Sequence, residues 1–392
     1  MPLALWALTV SAFAVGTTEF VIVGLLPTIA NDLNISLPSA GYLVSLYALG
    51  VTIGAPLLTS LAGNMPRKKL LISLLLLFTG GNLYAAFAPD FYSLTAARFM
   101  TGLAHGVFFA IASTIATNLV SKEKESSAIA LVFLGLTVAL VTGVPLGIWI
   151  GQAFGWQTTF IGVVILAVIG LLASLFLVPN NLKQETAPTI RAQLTVLTNP
   201  RLLLVYLITA VGYGGNFIAF TYLTPLLTDI TGLSQTSVSV VILLYGVSVA
   251  VGNILGGKLS DKVGPVAALT WIFLGLTATL LILGFALPYA WSTITVVAFW
   301  GGFAFANVPP LQSYVVKIAR EVSPAAVDIA SGLNIGAFNL GIAFGAWAGG
   351  LVVETLGLLP TTLVGGGVVA VGILLTWLSG AIAPKSVSVP TE

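Results

Sequence analysis

The chain has no cysteine, one histidine and very little charge. Without cysteine there is no disulfide, no thiolate chemistry and no Cys-ligated metal, and the redox compartment goes unread. A single histidine makes no ligand cluster, so neither a metal site nor a cofactor is expected. Charged residues are 7% of the 392, against about 25% in a soluble domain. Such a chain could not keep a surface wet, which excludes a soluble fold. The formal net charge of +2 is too small to suggest a nucleic-acid partner. The N-terminus lacks a charged segment followed by a small-residue cleavage site, so its apolar run is expected as a retained first span.

Hydrophobic residues make up 58% of the chain, and its mean hydropathy is +1.08. A helix that crosses the bilayer core needs about 20 mostly apolar residues. Cutting at charges, Pro/Gly clusters and polar turns predicts twelve such spans, at 4–29, 39–61, 70–88, 91–113, 127–151, 158–178, 201–228, 235–257, 266–287, 291–315, 326–351 and 360–382. The basic residues test this count. With the N-terminus in the cytoplasm, the inner loops and the C-terminal tail hold Arg67, Lys68, Lys69, Lys122, Lys124, Lys183, Arg191, Arg201, Lys258, Lys262, Lys317, Arg320 and Lys385. Of the 14 Lys and Arg residues only Arg98 is left, inside span 4. The outer loops carry Asp32, Asp90, Asp229 and Glu354. Adding or dropping a central span would spoil this positive-inside pattern. The fold expected is therefore all-α and polytopic, with both termini cytoplasmic and the chain multi-pass in a cell inner membrane.

The stretch YALGVTIGAPLLTSLAGNMPRKK, from Tyr47, resembles YGVSVAVGNILGGKLSDKVGP, from Tyr245. At a shift of 198 residues Tyr47 meets Tyr245, Val51 meets Val249, Gly54 meets Gly252 and Leu61 meets Leu259. The shift is half the chain, and six spans per half give both copies one orientation. Chance likeness of two glycine-rich helices is the alternative; the even split of spans argues against it. The expected organisation is a six-helix bundle over 1–178, a cytoplasmic linker over 179–200 and a second six-helix bundle over 201–392. A parallel repeat of this kind is a two-bundle transporter with its substrate site between the halves.

At these residues the chain resembles the major facilitator superfamily. Within it the chain is most similar to the twelve-span drug:proton antiporter branch, near the sugar-efflux (arabinose-efflux-like) permeases. The loop Gly257-Lys258-Leu259-Ser260-Asp261-Lys262-Val263-Gly264 copies the family's loop signature. After span 2 that signature is degraded, with Gly63 in place of the Asp and Pro66 in place of the second Gly, while Arg67, Lys68 and Lys69 remain. LTAARFMTGLAHG fits the family's Arg-x-x-x-Gly pattern through Arg98 and Gly102. GLTVALVTGVPLG is similar to the antiporter signature of span 5 through Gly135, Gly143, Pro145 and Gly147, with Val144 where a glycine would precede the proline. The resemblance implies alternating access, with Arg67, Gly143, Pro145, Gly147, Asp261 and Gly264 as gating or conformational positions.

Three ionisable side chains lie deep in spans: Glu19, Arg98 and His105. A central charge costs at least about 2.5–3.5 kcal/mol on insertion scales, so three together need a reason. At 1.5 Å per residue, Arg98, Glu19 and His105 lie about 10, 15 and 21 Å below the outer ends of their helices. Arg98 and His105, seven residues apart, share a face. In a bundle like the family's, spans 1 and 4 line the central cavity, and Glu19 is expected to reach either partner. A motion that changes those distances changes the affinity of Glu19 for a proton, which is what coupling requires. The structural alternatives are a polar link for Glu19, a tie between spans 1 and 4 for Arg98, and a neutral packing role for His105. The residues 198 further on are Phe217, Val296 and Phe303, so the proton machinery is expected in the N-terminal half alone.

The expected pocket is lined by spans 1, 4, 7 and 10, with 2, 5, 8 and 11 contributing. Candidate substrate contacts are Thr17, Tyr47 and Phe109 in the first half. In the second they are Asn216, Phe220, Tyr245, Trp300, Asn307, Asn334 and Asn339. Helix packing is the alternative for any one of them. Aromatic rings, a few amides and one acid suit a neutral or weakly cationic small molecule, a sugar or an amphipathic drug. The function expected is proton-driven export by a monomer in the lipid bilayer. The alternatives are uptake by proton symport or facilitation, or a receptor without transport. No nucleophile–base pair or phosphate-cradling loop supports an enzyme.

Overall fold

The computed structural model describes residues 1–61, 65–121, 124–182 and 190–382. Gly63, Lys122, Lys183 and Lys385, used above, lie outside the described residues. In hydrocarbon each backbone polar group must be satisfied within the protein, and helices do this segment by segment. Twelve apolar helices are long enough to cross a membrane. They are Leu3–Asp32, Leu37–Leu61, Arg67–Ala86, Phe91–Asn118, Ser127–Phe154, Trp156–Leu177, Pro200–Phe220, Gln235–Val263, Pro265–Ala286, Ala290–Val322, Val327–Leu356 and Pro360–Ile382. They are numbered here as spans 1 to 12, and each overlaps the expected one. Part of the polar linker also winds into a short helix, Ile190–Thr198, and the Asn199 side chain then caps span 7 by accepting from Arg201 N and Leu202 N.

Boundaries follow local chemistry. Asp90 caps span 4, accepting from Ser93 N at 2.8 Å. Single glycines with φ of 91° and 83°, Gly155 and Gly264, join spans 5 to 6 and 8 to 9, a conformation that side-chain-bearing residues rarely adopt. Among the described residues three spans are irregular, and each has a break within a few residues ahead of a proline. Span 5 widens into a π turn over Ala139–Gly143 before Pro145. Span 7 stops at Phe220 and resumes at Leu223 before Pro225, ending in a second π turn, Leu226–Ile230. Span 10 stops at Ala306 and resumes at Val308 before Pro309 and Pro310. The proline ring excludes the carbonyl of residue i−4 and offers it no N–H, so the helix opens there. Beyond these breaks the helices resume, so the path of span 7 reaches Ile230 and that of span 10 reaches Val322.

The two halves pack alike. Span 2 lies on span 4, span 3 on spans 4 and 6, and span 1 on spans 5 and 6; spans 8, 9 and 7 repeat this with 10, 12 and 11. The resemblance reaches single contacts: Gly102 of span 4 lies against the Tyr47 carbonyl, and Gly301 of span 10 against the Tyr245 carbonyl. Between the halves, span 2 packs on span 11, and span 8 packs on span 5 through residues 139–154.

Asp32 marks one end of the molecule, where its carboxylate accepts from Trp156 Nε1 at 2.8 Å and joins spans 1 and 6. At that end the seam between spans 2 and 11 is sealed by Tyr222 of span 7. Its buried ring and hydroxyl fill the space left by Gly41, Gly349 and Gly350, with the hydroxyl 3.5 Å from the Ala346 carbonyl. Toward the opposite end, Gly332 and Gly336 of span 11 face open space.

A side chain at Gly41 would run into the Tyr222 hydroxyl. We expect Gly41→Leu to loosen the Asp32 end of the seam. Cysteines placed at Ser39 and Leu351, which line one cleft over that seam, should cross-link severalfold more slowly in the Gly41→Leu background. An unchanged rate would show that Tyr222 does not seal it.

Candidate functional site

Arg98 is 1% exposed, and its guanidinium is the centre of a buried network. Nη1 donates to the Thr18 carbonyl at 2.7 Å and to Thr18 Oγ1 at 3.4 Å, and Nε donates to the Leu43 carbonyl at 3.4 Å. The guanidinium carbon lies 4.1 Å from the centre of the Tyr47 ring, a cation–π contact in a water-poor setting. Nη2 has no partner. Thr18 also donates to Asn82 Oδ1 at 2.6 Å, which brings span 3 into the network. The Tyr47 hydroxyl is 3.0 Å from His105 Nδ1. Tyr47 thus touches two residues of span 4, Arg98 with its ring face and His105 with its hydroxyl. Seven-residue spacing put the two on one face of span 4, and a tyrosine from span 2 spans the gap.

Glu19 is placed differently from the expectation. It is partly exposed and makes no ion pair with Arg98 or His105. The physical reason is competition: Arg98 is already held by two backbone carbonyls and an aromatic face. Glu19 stays within electrostatic reach of Arg98 and Tyr47 and, across the halves, of Tyr213. Among the described residues it has no hydrogen-bond partner.

Beside Glu19 begins a chain of aromatic rings. Phe20 of span 1 meets Phe305 of span 10 edge-on at 5.8 Å. Phe305 meets Tyr213 at 5.4 Å, and Tyr213 meets Phe338 of span 11 at 4.9 Å and Phe217 at 5.2 Å. Phe217 meets Phe220, which stacks on Tyr245 at 5.0 Å, and Tyr245 meets Trp300 at 5.6 Å. Trp300 Nε1 donates to Asn216 Oδ1 at 2.7 Å. Asn216, Phe220, Tyr245 and Trp300 are therefore brought together. Asn216 Nδ2 faces the Tyr245 hydroxyl, while Asn307 Oδ1 and Asn339 Oδ1 are buried polar atoms without a partner among the described residues.

Other candidates lie apart from this group. Thr17 donates to the Phe13 carbonyl at 2.8 Å and packs on Gly143 of span 5. Phe109 stacks on Phe133 at 4.9 Å within the first half. Asn334 accepts from Thr209 at 2.7 Å and donates to Gln312 Oε1 at 2.8 Å, a filled polar link among spans 7, 10 and 11. Of the gating positions, Gly147 packs on Val21 and Thr159, beside the π turn that Gly143 ends and Pro145 follows. Arg67 opens span 3 with its Nε buried and unpartnered. Asp261 is exposed, one turn before the bend at Gly264. Sequence reading passed over Thr18, Asn82, Gln312, Tyr213, Phe305 and Phe338. Asn82 and Gln312 were visible as amides in apolar helices; Thr18 acts mainly through its carbonyl, which no side-chain pattern reveals.

Two substitutions test this geometry. Tyr47→Phe keeps the ring over Arg98 and removes the hydroxyl from His105. As His105 is the only histidine, one 15N-labelled imidazole reports on it: the Nδ1 signal should move in Tyr47→Phe and stay in Tyr245→Phe. Trp300→Phe strips the partner from the buried Asn216 and should destabilise the protein by about 1–3 kcal/mol in detergent unfolding.

Comparison with known proteins matches residues 8–327 to the Major Facilitator Superfamily. A Bacillus subtilis (strain 168) protein named "Uncharacterized MFS-type transporter YtbD" is 49% identical over 373 residues, 95% of this chain and 94% of its own. "Inner membrane transport protein YdhP" of Escherichia coli (strain K12) is 39% identical over 391 residues, 98% of each chain. A "Chloramphenicol resistance protein" of Streptomyces lividans is 33% identical over 373 residues, 90% of this chain and 94% of its own. With twelve membrane-spanning helices and full-length relatives at these identities, the chain belongs to the Major Facilitator Superfamily, a family of transporters of small molecules.

Proposed function

We propose that the protein is a proton-coupled exporter of small neutral or amphipathic molecules, acting by alternating access as a monomer. It would lie in the inner membrane with both termini in the cytoplasm, an orientation supported by the distribution of Lys and Arg. The two bundles, 1–178 and 201–392, rock about the seams of spans 2 with 11 and 5 with 8. The observation that carries this reading is Glu19: a mid-span carboxylate, partly exposed and unpaired, next in sequence to the residue whose carbonyl holds Arg98. Arg98 keeps one nitrogen free, so a shift of span 1 against span 4 could exchange the Thr18 carbonyl for the Glu19 carboxylate. Such an exchange would release a proton in one conformation and take one up in the other. Intramembrane acids mark this kind of pathway.

The aromatic chain beside Glu19, with the amide oxygens of Asn307 and Asn339, supports an apolar or aromatic substrate that also forms hydrogen bonds. The relative named for chloramphenicol resistance makes chloramphenicol the first compound to try, with sugars second. Closure at the Asp32 end, outward in the proposed orientation, fits a carrier waiting for cytoplasmic cargo.

In proteoliposomes with a trapped pH indicator, substrate moving one way should drive protons the other. Glu19→Gln should abolish uphill transport, at least a tenfold loss, while leaving substrate exchange measurable. Protons moving with the substrate would assign uptake by symport instead. Uphill transport by Glu19→Gln with an unchanged pH profile would remove Glu19 from the coupling.

A further inference from the structure

A cavity of about 440 Å³ lies outside this site, between spans 8, 9 and 10. Its floor is backbone. A Cβ on Gly252 would strike the Gly302 carbonyl and one on Gly256 the Ala306 carbonyl, so the two helices touch and no side chain fills the space above. Leu255 forms one wall and Phe299 the other, and they are 57% and 62% exposed, so the groove opens sideways onto the membrane-facing surface. Apart from Ser248, its lining side chains are apolar.

The groove runs along span 8 from Val247 to Leu259. Twelve residues at 1.5 Å make about 18 Å, close to the roughly 15 Å of hydrocarbon in one leaflet. Steps of three and four residues from Leu255 lead to Lys258 and Lys262 on the same helical face, the first beside Leu259 at the end of the groove and the second just past it. Both lysines are exposed, and neither has an ion-pair partner among the described residues. Asp261 points about 100° round the helix from Lys262 but lies three residues after Lys258, a neighbouring position, although the two form no ion pair. The first half keeps one such contact, Gly54 against the Leu103 carbonyl, and its sequence differs beyond it. At the positions 198 upstream, Gly256 and Ala306 are replaced by Leu58 and Phe108, and the lysines by Ser60 and Asn64.

We propose that this groove is a binding site for one anionic phospholipid, with an acyl chain over the glycine floor and the phosphate between Lys258 and Lys262. An apolar slot one leaflet long, ending in two unpaired cations, matches that molecule in length, polarity and charge. Each lysine near a headgroup contributes about 1 kcal/mol of attraction; two, offset in part by the neighbouring Asp261, give a preference for anionic over zwitterionic lipid on the order of tenfold.

The test uses the full chain, reconstituted with equal amounts of phosphatidylglycerol and phosphatidylcholine, then released and weighed by native mass spectrometry. Wild type should retain one phosphatidylglycerol in preference to phosphatidylcholine by about tenfold. Lys258→Gln with Lys262→Gln should bring the two lipids to near-equal retention. Gly302→Leu should reduce retention of both: a Cβ there meets only the Ser248 carbonyl, at 3.9 Å, so the new side chain can fill the groove without disturbing the helix contact. No lipid preference in wild type, a preference intact in the double lysine variant, or undiminished retention in a folded Gly302→Leu would each overturn the proposal. Should Gly302→Leu misfold, the lysine variant, changed only at exposed positions, still decides.

Discussion

The first half is organised around a buried guanidinium. Removing Arg98 from water is costly, and the bundle compensates with carbonyls rather than with a counter-ion. Thr18 and Leu43 lend their carbonyl oxygens and Tyr47 its ring face, so one side chain ties spans 1, 2 and 4 at mid-depth. Two consequences follow. Tyr47 is oriented by Arg98, and its hydroxyl therefore meets His105. Glu19, displaced by the Thr18 carbonyl, keeps its carboxylate available to the space between the halves. An Arg98–Glu19 ion pair would have satisfied both charges at once.

The second half uses the same helix packing for a different purpose. Where the first half has Arg98 and His105, the second has Val296 and Phe303, and Tyr245 stacks on Phe220 instead of covering a cation. Copying a six-helix unit preserved backbone approaches, such as glycine against a tyrosine carbonyl, while the side chains diverged into a charged half and an aromatic half. Phe20 and Phe305, meeting across the halves, join the two chemistries.

Much of the fold was legible in the sequence because membrane helices obey a one-dimensional rule: length, apolarity and the sign of flanking charge. The helix breaks were less legible. Pro225, Pro309 and Pro310 announced them, yet the helices resume beyond and carry spans 7 and 10 past their expected ends. In the site, Glu19, Arg98 and His105 stood out by charge alone, but their pairing did not, since it depends on which carbonyls come within reach. Tyr47 read as a substrate contact because an aromatic residue in a lining helix has no visible partner until the fold supplies Arg98 and His105. Asn334 read the same way, and Thr209 and Gln312 occupy it instead.

The seal formed by Tyr222 has a further implication. It consists of a ring, a hydroxyl and three glycines, and among the described residues no ion pair crosses between the halves there. Contacts of this sort are not screened by dissolved salt. Ionic strength should therefore leave the opening equilibrium at that end almost untouched. Dilute and concentrated salt would meet the same seal at that end.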